Sequence, residues 1–207
     1  CYKPQFAHLA AAGAEAELAT TIDYIQALGI PVILDAKRGD VGSTADFYAS
    51  EAFDRYNADA VTVNPYMGSD SLKPFLERAD KGIILLCRTS NPGGADLQNL
   101  PLASGEQLFE RVAHLAANQW NSRGNVGLVV GATRPEELAR VREITGEMTL
   151  LLPGIGAQGG DIKASLEAGQ GGGLIVSASR SILYPQSTDT GQAAMTTRDE
   201  INRYHHA

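Results

Sequence analysis

Short apolar runs alternate with longer amphipathic segments along most of the 207-residue chain, and this alternation constrains the fold more than any other feature. Six runs are almost continuously apolar, as in parallel strands covered on both faces, and they lie at residues 30–35, 58–63, 82–87, 126–130, 148–152 and 173–176. Helical periodicity occupies residues 14–28, 44–56, 106–121 and 135–144 between them. The chain therefore predicts repeated strand–helix units and a parallel sheet.

A parallel sheet of this kind is either open and doubly wound or closed into a barrel. No G-x-G-x-x-G motif follows the early strands, whereas polar side chains follow nearly every strand. Polar and charged residues at the ends of many strands are typical of a (β/α)8 TIM barrel, which is the α/β fold that we favour. Residues 1–7 supply a seventh strand or its end. We therefore expect a single barrel domain over residues 1–207, N-terminally incomplete, with the first β/α unit missing from this chain.

The last quarter of the chain contains glycine-rich and polar stretches. The loops after the last two strands commonly bind phosphate in such barrels, and glycines there let backbone N–H groups approach an anion. The run Gly169-Gln170-Gly171-Gly172-Gly173 is therefore interpreted as a phosphate loop, with plain turn chemistry or the scar of an insertion as alternatives. Residues 185–197 predict a mobile loop, and residues 198–206 predict a closing helix.

Composition excludes several classes of protein. A net charge of −7 argues against non-specific binding of nucleic acid, which needs a basic field. No apolar run approaches a membrane span and no signal peptide is visible, so we expect a cytoplasmic protein without membrane contact. Cys1 and Cys87 form no paired framework, and the four histidines lack the spacing of a metal site. We therefore expect no metal ion.

The densest chemical signal is a charged run followed by Thr44, and it reads Asp35-Ala36-Lys37-Arg38-Gly39-Asp40. Side chains alternate along a strand, which predicts that Asp35 and Lys37 point to the same side. Two charges at a buried strand end are costly unless they pair or act on a substrate. A simple ion pair at the barrel rim is the alternative, but Asp40 and Thr44 at fixed offsets favour catalysis.

The run D-A-K-R-G-D-x-G-x-T resembles the signature of the orotidine 5′-phosphate decarboxylase family, in its longer bacterial subgroup. Six further motifs agree in the family's order along nearly the whole chain, and they are Lys3-Pro4-Gln5, Val61-Thr62-Val63-Asn64-Pro65-Tyr66-Met67-Gly68, Arg88-Thr89-Ser90-Asn91-Pro92-Gly93, Val130-Gly131-Ala132-Thr133, Pro153-Gly154-Ile155-Gly156-Ala157-Gln158-Gly159-Gly160-Asp161 and Ser177-Ala178-Ser179-Arg180. The resemblance implies decarboxylation of orotidine 5′-phosphate to UMP in de novo pyrimidine biosynthesis, without a cofactor.

The resemblance also implies catalytic roles. Lys37 would protonate the carbanion at C6 of the pyrimidine, and Asp35 would lie against the departing carboxylate. Lys3 would complete an alternating Lys–Asp–Lys–Asp network. Asp40 would reach into the neighbouring subunit's site with Thr44 beside it, which implies a homodimer with shared active sites.

Substrate-binding residues follow in the same way. Ser90 matches the serine that reads the pyrimidine amide edge. Pro153 and Gly154 belong to the motif that also carries Gln158, and Gln158 with Arg180 matches the pair that closes over the base and binds the 5′-phosphate. The family's ribose-binding aspartate lies on its first strand, and no residue of this chain matches it.

Two other functions remain alternatives. A magnesium-dependent sugar-phosphate decarboxylase or aldolase of the same barrel superfamily would carry an acidic metal ligand one strand earlier, where this chain has Lys3. A non-catalytic barrel that binds UMP would not need Lys37, Asp35 and Asp40 together.

Overall fold

The structure is a computed structural model that describes residues 1–153, 162–186 and 189–205. The chain divides into two compact units. The first comprises Cys1–Leu86 and Asn118–Gly127, and the second comprises Cys87–Ala117 and Leu128–Ala207.

The first unit alternates helices and strands as the apolar pattern predicts. Its strands are β1 (Ile33–Arg38), β2 (Ala60–Val63) and the start of β3 (Gly82–Arg88). Its helices are α1 (Phe6–Ala11), α2 (Glu15–Ala27), α3 (Gly42–Ser50) and α4 (Ser69–Leu76). Two further turns are a π-helical turn at Glu51–Arg55, which continues α3, and a 3-10 turn at Pro65–Met67, which follows β2. The single helix predicted at residues 44–56 is therefore an α-helix followed by a π-helical turn.

The opening segment lies beside β1 as a strand-like extension. Tyr2 and Val32 form a parallel bridge, and Gln5 and Asp35 form another. The backbone N–H of Asp35 donates to the carbonyl of Pro4 at 3.0 Å. The predicted seventh strand is thus present as two isolated bridges, and it brings Lys3 next to the charged end of β1.

The pairing of β1 with β2 contains a register shift. Leu34 pairs with Val61, whereas the next pair is Arg38 with Val63. The three intervening residues of β1 therefore lie opposite a single residue of β2, Thr62. Such a bulge bends the strand and re-aims its side chains, and bulges of this kind are common beside active sites.

The core of the first unit is made of the predicted apolar faces. Aliphatic and aromatic side chains of both helices and strands are fully buried there, which removes their apolar surface from water; they include Leu18, Ile22, Leu34, Val61, Leu72, Phe75, Ile83 and Leu85. This packing fixes the strand ends that carry the charged side chains.

The second unit contains the end of β3 and the remaining elements. Its further strands are β4 (Val126–Val130, which begins in the first unit), β5 (Leu150–Pro153) and β6 (Leu174–Ser177). Its helices are α5 (Ala95–Gln98), α6 (Leu108–Leu115), α7 (Pro135–Thr145), α8 (Ile162–Ala168), α9 (Arg180–Leu183) and α10 (Thr190–His205). The six strands follow one another in the sheet in chain order. β4 is buried throughout, whereas every residue of β6 keeps partial exposure.

The glycine-rich run at residues 169–173 corrects one prediction. It lies between α8 and β6, so it precedes the last strand, whereas phosphate loops of such folds follow their strands. The buried Arg142 side chain occupies its centre and donates to the carbonyls of Gly169 at 2.9 Å and Gly173 at 3.1 Å. The same guanidinium donates to the carbonyls of Gly146 and Met148. The phosphate-loop interpretation of Gly171–Gly173 is therefore wrong. The run instead binds the guanidinium group of Arg142 from the same chain.

The end of the chain is also more ordered than predicted. α10 begins at Thr190, so the loop predicted at residues 185–197 is helical over its second half. Among the described helices, none is both long enough and apolar enough to cross a membrane.

Candidate active site

Asp35 is the centre of a charged cluster in the first unit. Its Oδ2 atom accepts a hydrogen bond from Lys3 Nζ at 2.5 Å, and its Oδ1 atom accepts one from Lys37 Nζ at 2.5 Å. Thr62 Oγ1 also donates to Oδ1, at 2.9 Å. One buried carboxylate thus binds two ammonium groups and a hydroxyl group, and each of its oxygens has a charged partner. The structure thus brings Asp35, Lys37 and Lys3 together.

The backbone of Lys37 differs from the extended strand on which the prediction was based. Its φ angle is +47°, in the left-handed region. A side chain other than glycine or asparagine in this region costs about 1–2 kcal/mol. The Lys37 N–H group donates to Thr62 Oγ1 at 3.0 Å, which fixes this conformation across the bulge. Lys37 therefore reaches Asp35 through a strained turn, and strand alternation does not bring it there.

Sequence reasoning did not assign Thr62 to the site. Its hydroxyl group accepts from the Lys37 backbone and donates to the Asp35 carboxylate, so it joins the two residues. Its side chain is 1% exposed. Thr62 is the polar residue inside the apolar run at residues 58–63 that faces Asp35, and a buried hydroxyl in a strand core is a signal that could have identified it.

The electrostatics of Asp35 result from two opposing effects. Burial alone would raise the pKa of its carboxyl group, but hydrogen bonds from Lys3 and Lys37 and their positive charges lower the pKa below its ordinary value. The side chain of Asp35 is 8% exposed, whereas that of Lys37 is 45% exposed. The buried carboxylate of Asp35 therefore holds the more exposed ammonium group of Lys37 in a fixed position.

Asp40 and Thr44 lie beyond the turn that follows Lys37. Asp40 Oδ1 accepts from the backbone N–H of Val41 at 2.8 Å, just before α3 begins. Thr44 is exposed on the first turn of that helix. Over residues 1–153, no hydrogen bond or ion pair joins Asp40 to Lys37 of the same chain.

In the second unit, Ser90 follows the end of β3 in a segment that is held firmly. The buried Arg88 side chain pairs with Glu137, with Nε 2.8 Å from Oε2, and donates to the Thr89 carbonyl at 2.6 Å. Gln98 Oε1 accepts from the Thr89 N–H at 2.8 Å. These contacts fix the backbone immediately before Ser90, whose side chain is half-buried.

Gly131 follows the end of β4, where its backbone lies very close to the backbone of Ser90. A Cβ atom built there would lie 2.8 Å from the backbone N and Cα atoms of Ser90. No side chain fits at that distance, so glycine is required by the close approach of the two backbones.

Two of the remaining predicted residues lie at the ends of the last two described strands. Pro153 is the last residue of β5 and is half-buried. Arg180 is the first residue of α9, directly after β6, and is exposed. Gly154 and Gln158 lie outside the described residues. Across the described parts of the chain, no group of histidine, cysteine and acidic side chains could hold a metal ion.

A parallel α/β sheet with charged and polar side chains at the carboxyl ends of its strands defines a class of enzymes that bind small ligands at those ends. Comparison with known proteins narrows this class. Residues 1–195 match the family described as Orotidine 5′-phosphate decarboxylase / HUMPS family. The chain belongs to that family.

Individual relatives agree with this membership. The orotidine 5′-phosphate decarboxylase of Azoarcus sp. (strain BH72) is 60% identical over 213 residues, which cover 98% of this chain and 78% of that protein. The enzyme of the same name from Dechloromonas aromatica (strain RCB) is 59% identical with the same coverage.

Solved structures agree as well. The structure of Leishmania donovani OMP decarboxylase matches with a TM-score of 0.91 and 47% identity, over 100% of this chain and 81% of that one. Leishmania donovani UMP synthase matches with a TM-score of 0.94 and 49% identity, but the match spans only 47% of that longer chain. Since three of these four proteins are named as decarboxylases of orotidine 5′-phosphate, the sugar-phosphate enzyme is the less supported alternative.

Proposed function

We propose that this enzyme, as it converts orotidine 5′-phosphate to UMP in pyrimidine biosynthesis, uses the Lys37 ammonium group to protonate C6 of the pyrimidine after CO₂ has left. The observation that carries this proposal is the cluster in which Asp35 binds Lys37 and Lys3 through separate oxygens. An ammonium group held at a fixed point is what the chemistry at C6 requires.

Loss of CO₂ from C6 leaves an electron pair in an sp² orbital that the ring does not delocalise. The barrier must then be lowered by charge placed in advance beside the developing carbanion. The slowest enzyme-catalysed reactions need the activation barrier lowered by on the order of 20 kcal/mol, so one ammonium group supplies only part of that reduction. Binding of the distant phosphate group supplies alignment and closure.

The proton balance of the step is simple. The C6–carboxylate bond breaks, CO₂ leaves, and the electron pair of that bond stays on C6 and accepts a proton from Lys37 Nζ. The resulting neutral amine regains a proton from solvent after the product leaves. The 45% exposure of the Lys37 side chain gives solvent access for this return, while Asp35 at 8% exposure stays buried.

Asp35 and Lys3 act as the support of Lys37. Asp35 orients the ammonium group and lies against the departing carboxylate, whose negative charge it repels. Lys3 occupies the other carboxylate oxygen and prevents Asp35 from turning away. Thr62 completes this support by fixing the Lys37 backbone.

The substrate is bound by residues after the later strands. Ser90 reads the pyrimidine amide edge, and the rigid segment behind it supports that role. Arg180, together with Gln158, binds the 5′-phosphate, since an exposed arginine can donate two parallel hydrogen bonds to phosphate oxygens. Pro153 and Gly154 line the same substrate.

Asp40 and Thr44 serve the partner subunit in a homodimer. Asp40 does not bind Lys37 of its own chain in the described structure, and it is followed by exposed apolar side chains, with Val41 51% and Phe47 75% exposed. An apolar patch beside an acidic side chain suits a two-fold interface between copies of the chain.

Mixing inactive variants tests the shared site. Subunits carrying Lys37→Ala and subunits carrying Asp40→Ala should each be inactive alone and should regain about a quarter of wild-type turnover when exchanged, because half of the dimers are mixed and each has one intact site. Absence of recovery despite proven subunit exchange would contradict the shared site.

The fold that accommodates these roles is a single (β/α)8 barrel working in the cytoplasm. The partial exposure of the apolar strand β6, which ends the sheet, supports a further strand beside it. The absence of paired cysteines among the described residues agrees with a reducing compartment.

The proposal is tested by following UMP formation from orotidine 5′-phosphate by absorbance, in buffer with a metal chelator. Wild-type turnover should persist, and Lys37→Ala should lower kcat at least about 1,000-fold while UMP still binds. Lys73→Ala removes another lysine of the same unit, 71% exposed, and should leave kcat unchanged. Loss of wild-type activity in chelator would favour the metal-dependent alternative, and full activity of Lys37→Ala would refute the assignment.

A further inference from the structure

Arg38 directly follows the strained Lys37, and its side chain is enclosed on several sides. Its guanidinium carbon lies 4.3 Å from the centre of the Phe6 ring and 4.7 Å from the centre of the Tyr48 ring. Its Nε and Nη2 atoms donate to the two carboxylate oxygens of Glu51 at 2.8 and 3.0 Å. Two aromatic contacts and a two-point ion pair therefore fix this side chain.

The backbone of Arg38 is fixed as well. Its carbonyl accepts from the N–H of Asn64 at 2.7 Å, and it pairs with Val63 where β1 resumes its register after the bulge. On the other side of the bulge, Leu34 is paired with Val61. Lys37 is thus held between two anchored points and cannot relax its φ angle of +47° unless one of them moves.

Glu51 lies at the point where α3 passes into the π-helical turn, and its own backbone is helical. Its carbonyl accepts from the N–H of Tyr56, five residues on, which opens the π-helical turn. π-Helical turns are frequent at functional sites. The pairing with Arg38 gives the Glu51 carboxylate a two-point partner at this junction.

The same contacts engage most of the Arg38 side chain within the protein. Phe6 and Tyr48 both contact its guanidinium group, and Glu51 occupies two of its N–H groups. The Arg38 side chain is only 19% exposed. We therefore expect Arg38 to affect Lys37 through the backbone that connects the two residues.

We infer that Arg38, clamped by Glu51, Phe6 and Tyr48, is a positioning residue that holds Lys37 in its left-handed conformation and so aims the Lys37 ammonium group at Asp35. This inference rests on the proposed function of Lys37. It predicts that loss of the clamp misplaces the proton donor without weakening substrate binding, because the Arg38 side chain is mostly buried and already engaged by Glu51 and two aromatic rings.

The test compares kcat and KM for orotidine 5′-phosphate in three variants. Arg38→Ala should lower kcat roughly 10- to 100-fold, as expected when a reacting group moves by about 1 Å, and should change KM less than about threefold. Arg38→Lys keeps the charge and should restore part of the lost kcat. Glu51→Gln keeps the shape and should lower kcat by a smaller factor, and it carries the test if Arg38→Ala does not fold.

Arg78→Ala is the matched control. Arg78 binds both carboxylate oxygens of Asp54, at 2.8 and 2.7 Å, in the same unit but on the exposed surface. Its removal deletes a similar two-point ion pair and should leave kcat within about twofold of wild type.

The outcomes separate the two proposals. Wild-type kcat in Arg38→Ala and Glu51→Gln, or a rise in KM alone, would overturn the positioning role. Equal losses of kcat in Arg38→Ala and Arg78→Ala would also overturn it, since they would reflect general destabilisation. Full activity of Lys37→Ala would instead show that the proposed function of Lys37 is wrong.

Discussion

Replacing Asp35 with asparagine removes the charge from the centre of the cluster and keeps the shape of the side chain. The two ammonium groups of Lys3 and Lys37 each lie 2.5 Å from a different oxygen of this carboxylate. In the variant, they face one another across a neutral amide. We expect both lower stability and lower activity.

The loss of stability can be estimated from burial. Removing one partner of a fully buried ion pair costs about 3–5 kcal/mol. Because the side chains of Lys3 and Lys37 are 20% and 45% exposed, water screens part of this effect, and we expect about 2 kcal/mol. For a chain of this size, that corresponds to a melting temperature lower by roughly 4–8 °C. The misplaced ammonium should also lower kcat at least roughly 100-fold.

The effect of pH gives a sharper signature. The folded-state pKa of Asp35 lies below its ordinary value, so the stabilisation is complete above the unfolded pKa of about 4 and is lost as pH falls through the folded pKa. The difference in melting temperature between wild type and Asp35→Asn should therefore be full at neutral pH and should shrink in acid.

Melting curves of wild type, Asp35→Asn and Asp54→Asn between neutral pH and about pH 3 measure this difference. Asp54 is the control, because its carboxylate also pairs with an arginine but is 49% exposed, and its loss should change the melting temperature little. A melting temperature of Asp35→Asn equal to wild type at neutral pH, or a difference independent of pH, would refute the reasoning.

Three further changes follow from single contacts. Thr62→Val keeps the shape of the side chain but leaves Asp35 without one donor, so unfolding measured by urea should show a loss of about 1–3 kcal/mol, with kcat reduced; an unchanged kcat would contradict its place in the site. Gly131→Ala would force a Cβ atom against the Ser90 backbone, costing about 1–3 kcal/mol and raising KM for orotidine 5′-phosphate, and an unaltered KM would count against the proposed role of that serine. Arg142→Met should lower the melting temperature but not change KM, whereas a large rise in KM would revive the phosphate-loop interpretation.

The pattern of strands and helices could be predicted because it depends on hydrophobic periodicity, which the chain carries locally. The predicted strand at residues 126–130 matches β4, and the predicted helix at residues 135–144 matches α7 within one residue. The helix α10 was missed over its first half, because the stretch from Thr190 is polar and rich in threonine and glutamine, and it lacks the apolar stripe that marks a packed helix.

The sequence identifies Asp35 and Lys37 as candidate site residues but does not predict the geometry that joins them. The sequence shows that Lys37 and Asp35 are charged residues near a strand end. The bulge that brings them together depends on the pairing of two strands that are distant in sequence. The role of Thr62 has the same origin, since its partners come from the neighbouring strand. The glycine-rich run was misread because composition does not tell whether a loop precedes or follows its strand.

The central claim is that the ammonium group at position 37 is the proton donor to C6. It is tested most directly by removing that group and then restoring it chemically, through Lys37→Cys followed by alkylation with 2-bromoethylamine, which rebuilds a lysine-like side chain. Cys87 is buried and its pKa is raised by burial to about 12, so it should not react, and the exposed Cys1 is replaced by serine in all samples.

Turnover of orotidine 5′-phosphate is measured before and after alkylation, with the modification confirmed by mass. We predict that Lys37→Cys is inactive and that alkylation restores a substantial fraction of wild-type kcat. High activity before alkylation, or no recovery after complete modification of a folded protein, would contradict the account.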